Sequence, residues 1–128
     1  MRIGEFHDPE GCVRILLELL AEEERPTCVL CPDDFSCLGA IGKLANEGVR
    51  VPEDLSVIGY DGITVGQMVH PALTTYRQNT GSIAHEAVRL LLEAIESPDT
   101  HQPRQIIAEG TLLEGETVAE LPAEKRKR

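Results

Sequence analysis

Apolar residues recur along this chain in three helical stripes, separated by short continuous apolar runs. The first stripe, Val13, Leu16, Leu17 and Leu20, has the three- and four-residue spacing of a helix with one buried face. Asp8-Pro9-Glu10 supplies its start, with a capping side chain, a proline at the first helical position and an acidic first turn. The spacing predicts a helix to about Glu24, ended by Arg25-Pro26. A second helix is predicted from the Asp33-Asp34 pair to about Glu47, with Leu38, Ile41, Leu44 and Ala45 inward and Gly48 as its left-handed stop. A third spans about Ser82 to Ile95 on Ile83, Ala87, Leu90, Leu91 and Ala94, closed by Ser97-Pro98-Asp99. Between them lie the strand-like runs Thr27–Cys31, Leu55–Tyr60 and Leu73–Arg77, with a final strand region over Gln105–Leu113 interrupted by Gly110. Thr27–Cys31, bounded by Pro26 and Pro32, reads as a strand buried on both faces. Residues 1–7 read as the end of an extended segment, and the chain from about Leu121 reads as loose.

Helix and strand alternate, which predicts an α/β fold: a parallel sheet with right-handed crossovers and flanking helices. In open sheets of this kind ligands bind beyond the carboxyl ends of the strands. Asp33 and Asp34 follow one predicted strand, and Asp61 ends another. If these strands are parallel neighbours, their carboxylates converge on one rim. A carboxylate there accepts several hydrogen bonds at once, as the hydroxyls of a sugar or the ring N–H groups of a purine would offer. One of the two adjacent aspartates is expected to cap the following helix. The expectation is that Asp34 is this structural cap and that Asp33 faces the cleft.

The charge balance narrows the partners. The 128 residues carry a net charge of −10, and four of the twelve basic residues crowd into Lys125–Arg128. The rest of the surface therefore repels a phosphate backbone, whose binding depends on Lys and Arg displacing counterions. The chain is not expected to touch DNA itself, and the basic end, residues 121–128, reads as a solvated, disordered tail. Aromatic residues make up only 3% of the chain, so its core is aliphatic. Cys28 and Cys31 form a lone C-x-x-C with no second pair and no histidine at ligand spacing. They read as buried small hydrophobes in a reducing cytoplasm, and neither a metal nor a cofactor is expected. The first residues lack the apolar stretch of a signal peptide, and no apolar run reaches the length of a membrane span.

Paired acids also permit general acid–base work or magnesium binding. A phosphoryl-accepting receiver would want a lysine at a later strand end, however, and Lys43 stands mid-helix. No phosphate loop, nucleophile elbow or zinc-protease motif occurs. The chain is not expected to be an enzyme.

Residues 25–78 read RPTCVLCPDDFSCLGAIGKLANEGVRVPEDLSVIGYDGITVGQMVHPALTTYRQ. The run is similar to one found in the lactose/galactose-repressor (LacI/GalR) family of bacterial transcription regulators. The shared features are Pro-Thr before an apolar strand, a polar pair at its end, Leu-Gly-Ala in the helix, Gly-Val-x-Val-Pro-x-Asp, Ser-Val-x-Gly-Tyr-Asp, then Pro-x-Leu-Thr-Thr and Gln. Gly11, Gly81 and Leu112-Leu113-Glu114 fit as well. Nearly the whole chain is covered, but only the last part of the family's length.

The resemblance implies part of a type I periplasmic-binding-protein-like sensor core, with two Rossmann-like lobes and a small effector between them. Residues 1–77 would belong to the C-terminal lobe, 78–104 to a crossover and helix of the N-terminal lobe, and 105–120 to a returning strand region. Asp61 falls on the family's ligand-contacting aspartate and Asp33 on its ligand-contacting asparagine. Gln78 lies at the crossover beside the pocket. Leu38 and the loop near Val69 fall where family members form their homodimer. Operator DNA would be reached only through a domain absent from this chain, and a cytoplasmic protein is implied. A fragment of a periplasmic sugar carrier is the alternative. Three positions depart from the family. Asp33 replaces the usual asparagine, which leaves open an effector richer in donors, a cationic one, or a protonated Asp33. Gly62 stands where Asp or Asn is frequent, and Gly115 where the terminal strand usually carries Arg.

Overall fold

The computed structural model of the chain describes residues 7–121. The extended segment expected over residues 1–7 lies outside them except for His7, and the expected basic tail lies outside them except for Leu121. In chain order the elements are α1 (Pro9–Leu20), β1 (Cys28–Leu30), α2 (Asp34–Asn46), β2 (Ser56–Asp61), a short 3-10 turn (Thr64–Gln67), β3 (Thr74–Arg77), α3 (Thr80–Glu96) and β4 (Thr111–Leu113). The strands form one sheet in the order β1-β2-β3-β4. β1 pairs parallel with β2, Val29 against Val57, and β2 pairs parallel with β3, Gly59 against Thr75. The chain divides into two compact units: residues 1–77 with 112–128, and residues 78–111.

In the first unit α1 and α2 pack on each other and on the sheet. Val13 and Leu16 of α1, Cys37, Ala40 and Leu44 of α2, and Leu55, Val57 and Leu73 of the strand segments form the buried core, with Cys31. Each fully buried Leu or Val contributes about 1.5–3 kcal/mol by leaving water. Asp8 caps α1 by accepting from the Gly11 amide at 2.9 Å, and Pro9 occupies its first turn. The helix stops at Leu20, earlier than the predicted Glu24. Three consecutive glutamates, Glu22 to Glu24, follow it, and acidic side chains disfavour extension at the negative end of a helix dipole.

The buried stripe of α2 is Cys37, Ala40 and Leu44, with Leu38 and Ile41 only partly covered and Ala45 exposed. Of the residues predicted inward only Leu44 is fully buried, and the stripe is shifted toward Cys37 and Ala40, whose small side chains allow a close helix–sheet approach. β1 is not buried on both faces. It is the first strand of the sheet, Cys28 is exposed and Leu30 is 69% exposed. Three residues apart on an extended strand, Cys28 and Cys31 point to opposite sides, and only Cys31 is buried. The Cys31 thiol neighbours those of Cys12 and Cys37. The thiol contact to Cys31 and burial push Cys12 up. For Cys31, the Cys12 contact pulls down but is outweighed by Cys37 and burial. Both remain protonated, inert thiols.

The returning segment is shorter in strand than predicted. Only Thr111–Leu113 is extended in a ladder, and residues 101–110 have no regular structure. Beyond it, Thr117 is fully buried. Its hydroxyl donates to the Val57 carbonyl at 2.7 Å and accepts from the Thr74 amide at 3.0 Å, so it bridges β2 and β3 near their starts. Gly115 lies so close to the backbone of residues 72–74 that a β-carbon would collide with it, so this path has no room for the arginine frequent at that position.

In the second unit α3 is capped by Asn79, which accepts from the Ser82 amide at 3.0 Å. None of its residues is buried: Leu91 is 59% and Ile95 66% exposed. Of the face expected to point inward, Leu90 and Ala94 are half-buried and Ile83, Ala87 and Leu91 are exposed. Arg89 binds Glu86 and Glu93 along the helix, and Arg104 also reaches Glu93.

Candidate functional site

Because β1, β2 and β3 run parallel, their carboxyl ends share one rim. Asp33 follows β1, Asp61 ends β2 and Arg77 ends β3, with Asp61 in register against Arg77. The expected convergence of Asp33, Asp34 and Asp61 at one end of a parallel sheet is therefore present. The roles expected for the first two are not.

Asp33, not Asp34, caps α2. Its backbone is extended (φ −158°, ψ 162°), as a capping residue requires. One carboxylate oxygen accepts from the Ser36 amide at 2.7 Å. The other accepts from the Ser36 hydroxyl at 2.9 Å and the His7 amide at 3.1 Å. Asp33 has no exposed surface, so no effector can touch it in this arrangement. Burial alone would raise its carboxyl, but the hydrogen bonds from Ser36 and His7 outweigh burial and hold it below the ordinary carboxylate value. That direction does not favour a protonated Asp33.

Asp34, the first residue of α2, is also fully buried and turns to the sheet. It accepts from the Thr75 hydroxyl at 2.6 Å and from the Ile63 amide at 2.8 Å. A β-carbon at Gly59 would land on its carboxylate, so a glycine inside β2 makes this contact possible. Thr75, Gly59 and Arg77 escaped the sequence reading, although a glycine inside an apolar strand was the available signal.

Asp61 is partly exposed and has φ +115°, in the left-handed half of the map where non-glycine residues are uncommon. Such a conformation costs about 1–3 kcal/mol and persists only where surrounding contacts over-determine it. Gly62 follows at φ +72°, and its carbonyl accepts from Arg77 Nε at 3.3 Å. Beside this rim Tyr60 and Tyr76 stack across β2 and β3, with ring centroids 5.9 Å apart. Gln78 is half-buried and opens the second unit, directly after the last residue of β3. Leu38 is partly buried against the core, whereas Val69 is 40% exposed beside the exposed Val65 and Met68. The second unit has a hollow of about 390 Å³ lined by Glu93, Ser97, His101 and Arg104 among others, and none of the predicted site residues lines it. Among the described residues no three acidic, histidine or cysteine side chains are grouped to hold a metal ion, and no helix is long and apolar enough to cross a membrane.

Residues 4–118 match the family model of the periplasmic binding protein-like domain. The chain belongs to that family. Its curated relatives are regulators. It is 43% identical over 96 residues to the HTH-type transcriptional repressor PurR of Mannheimia succiniciproducens, covering 75% of this chain and 28% of that protein. It is 37% identical over 119 residues to PurR of Escherichia fergusonii, covering 93% of this chain and 34% of that protein. A LacI family transcriptional regulator from Enterococcus faecalis, solved with bound ribose, superposes with a TM-score of 0.79 at 30% identity, over 92% of this chain and 43% of that one. The chain thus spans about a third of the length of these curated relatives. The relatives are transcriptional repressors, not enzymes.

Proposed function

We propose that this chain is the effector-sensing and dimerising part of a cytoplasmic LacI/GalR-type regulator, and that it takes a small polar metabolite at the carboxyl rim of its sheet. The observation that carries this reading is Asp61: a partly exposed carboxylate held in a positive-φ turn at the end of a parallel strand. Its acceptor oxygens suit the adjacent hydroxyls of a sugar or the N–H edge of a nucleobase. The ribose bound by the Enterococcus faecalis regulator supports the sugar class. Gln78 is proposed as a second polar contact. Asp33 is dropped as a contact, because it is buried and its oxygens are occupied.

Val69, with Ile63, Val65 and Met68 close by in sequence, offers exposed apolar surface for a second copy of the chain, and Leu38, partly buried against the core, is proposed as a further contact to it. Operator DNA would be bound by a part of the protein outside this chain, since the acidic surface here repels phosphate. Effector binding would act by favouring one arrangement of the regulator over another.

A thermal-shift panel of ribose, other sugars and purine bases tests the reading. At least one ligand is expected to raise the melting temperature, and Asp61→Ala should abolish that rise while Asp33→Asn keeps it. A flat panel, together with turnover of any compound in it, would favour an enzyme instead.

A further inference from the structure

We propose that Asp34 and Thr75 are positioning residues that fix the turn after Asp61 and so aim its carboxylate, a role that rests on Asp61 being the effector contact. The two peptide groups after Asp61 are each held by hydrogen bonds. The Gly62 amide, which belongs to the peptide plane immediately after Asp61, donates to the Thr75 hydroxyl oxygen at 3.3 Å. The next plane is held at both ends: the Ile63 amide donates to Asp34 at 2.8 Å, and the Gly62 carbonyl accepts from Arg77 Nε at 3.3 Å.

The order of these contacts follows from their chemistry. Asp34 accepts from the Ile63 amide with one oxygen and from the Thr75 hydroxyl with the other, so the single hydroxyl proton of Thr75 is committed to Asp34 at 2.6 Å. The threonine oxygen is then left with lone pairs, which suits it to accept from Gly62. Asp34 thus grips the turn directly at Ile63 and indirectly at Gly62. Orientation of the first peptide plane sets ψ of Asp61, and with φ at +115° this fixes where the side chain leaves the backbone. Asp34 and Thr75 are both fully buried, so water does not compete for these bonds. A helix start, the middle of β3 and the end of β2 are joined by two side chains at one residue whose own conformation is unfavourable.

The test is nuclear magnetic resonance on the 128-residue chain. In the unmodified protein Asp61 is expected to show the small amide–Hα coupling of a positive φ, with slow amide exchange at Gly62 and Ile63. Thr75→Val keeps the shape and removes the hydroxyl. It should accelerate exchange at both amides by about tenfold relative to Ala40 in α2, and shift the Asp61 coupling toward that of an extended residue. Thr75→Ser restores the hydroxyl and should restore both signals, which a role in packing alone would not predict. A folded Thr75→Val with unchanged coupling and exchange overturns the proposal. Should that variant not fold, the unmodified chain decides: exchange at Gly62 and Ile63 as fast as in an unstructured peptide overturns it, and protected amides with the small coupling uphold it. Titration with ribose and with a purine base separates this from the effector reading. Binding that weakens about tenfold in Thr75→Val and not in Thr75→Ser supports both. A well-held turn in a chain that binds neither probe rejects Asp61 as the contact and leaves its positioning intact.

Discussion

The two units of this chain show the same kind of sequence pattern with opposite outcomes. In the first, the apolar stripes of α1 and α2 meet each other and the sheet, and Leu44, Leu55, Val57 and Leu73 are almost wholly removed from water. In the second, α3 carries an equally regular stripe, yet none of its 17 residues is buried. Periodicity therefore predicts that a helix will have an apolar face, not that the face will find cover. Along α3 itself the Asn79 cap and the Arg89 ion pairs add local support.

The sharpest test of that contrast is a pair of truncations. Leu44→Ala should destabilise the first unit by about 2–5 kcal/mol, because a cavity opens in a close-packed core. Leu91→Ala, at a side chain already in water, should change stability by no more than about 0.5 kcal/mol. Urea unfolding followed by circular dichroism measures both, and equal effects would mean that α3 is buried in solution.

The helix caps offer a smaller contrast of the same kind. Asp33→Ala removes a buried cap with three hydrogen bonds and should cost about 1–2 kcal/mol. Asn79→Ala removes an exposed cap that accepts from the Ser82 amide and should cost about 0.5 kcal/mol, the low end of the same range. Similar losses at both sites would break the comparison.

Asp33 also makes a pH prediction. Its folded value is depressed, so its contribution is fully present above the unfolded aspartate value of about 4 and is lost as pH falls through the lower folded value. Unfolding free energies measured from pH 7 down to acid should therefore fall less steeply in Asp33→Asn than in the unmodified chain. Parallel acid limbs in the two proteins would show that Asp33 is not held below its ordinary value.

Cysteine labelling gives the smallest perturbation, since nothing is mutated. Exposed Cys28 should react with a thiol reagent in the folded protein, while Cys31 should react only after unfolding. Equal rates would contradict the placement of β1 with one side open.

Much of the fold was legible because local rules sufficed. Asp8-Pro9 marked the start of α1, Gly48 takes the left-handed conformation expected at the end of α2, and helix–strand alternation implied the parallel pairing of β1, β2 and β3. The candidate site was legible only in outline. Asp33 and Asp34 are adjacent, equally acidic and equally able to cap a helix, so nothing local separates them.

Sequence alone determined the elements, their order and the rim on which the acidic residues gather, because backbone propensity, capping and alternation act over a few residues. Tertiary structure alone decided which aspartate does what. Asp34 meets partners 29 and 41 residues away, at Ile63 and Thr75, and Asp33 meets His7 from 26 residues before it. Hydrogen bonds over such separations form only once the sheet has brought β2 and β3 beside the start of α2, and no pattern along the chain encodes them.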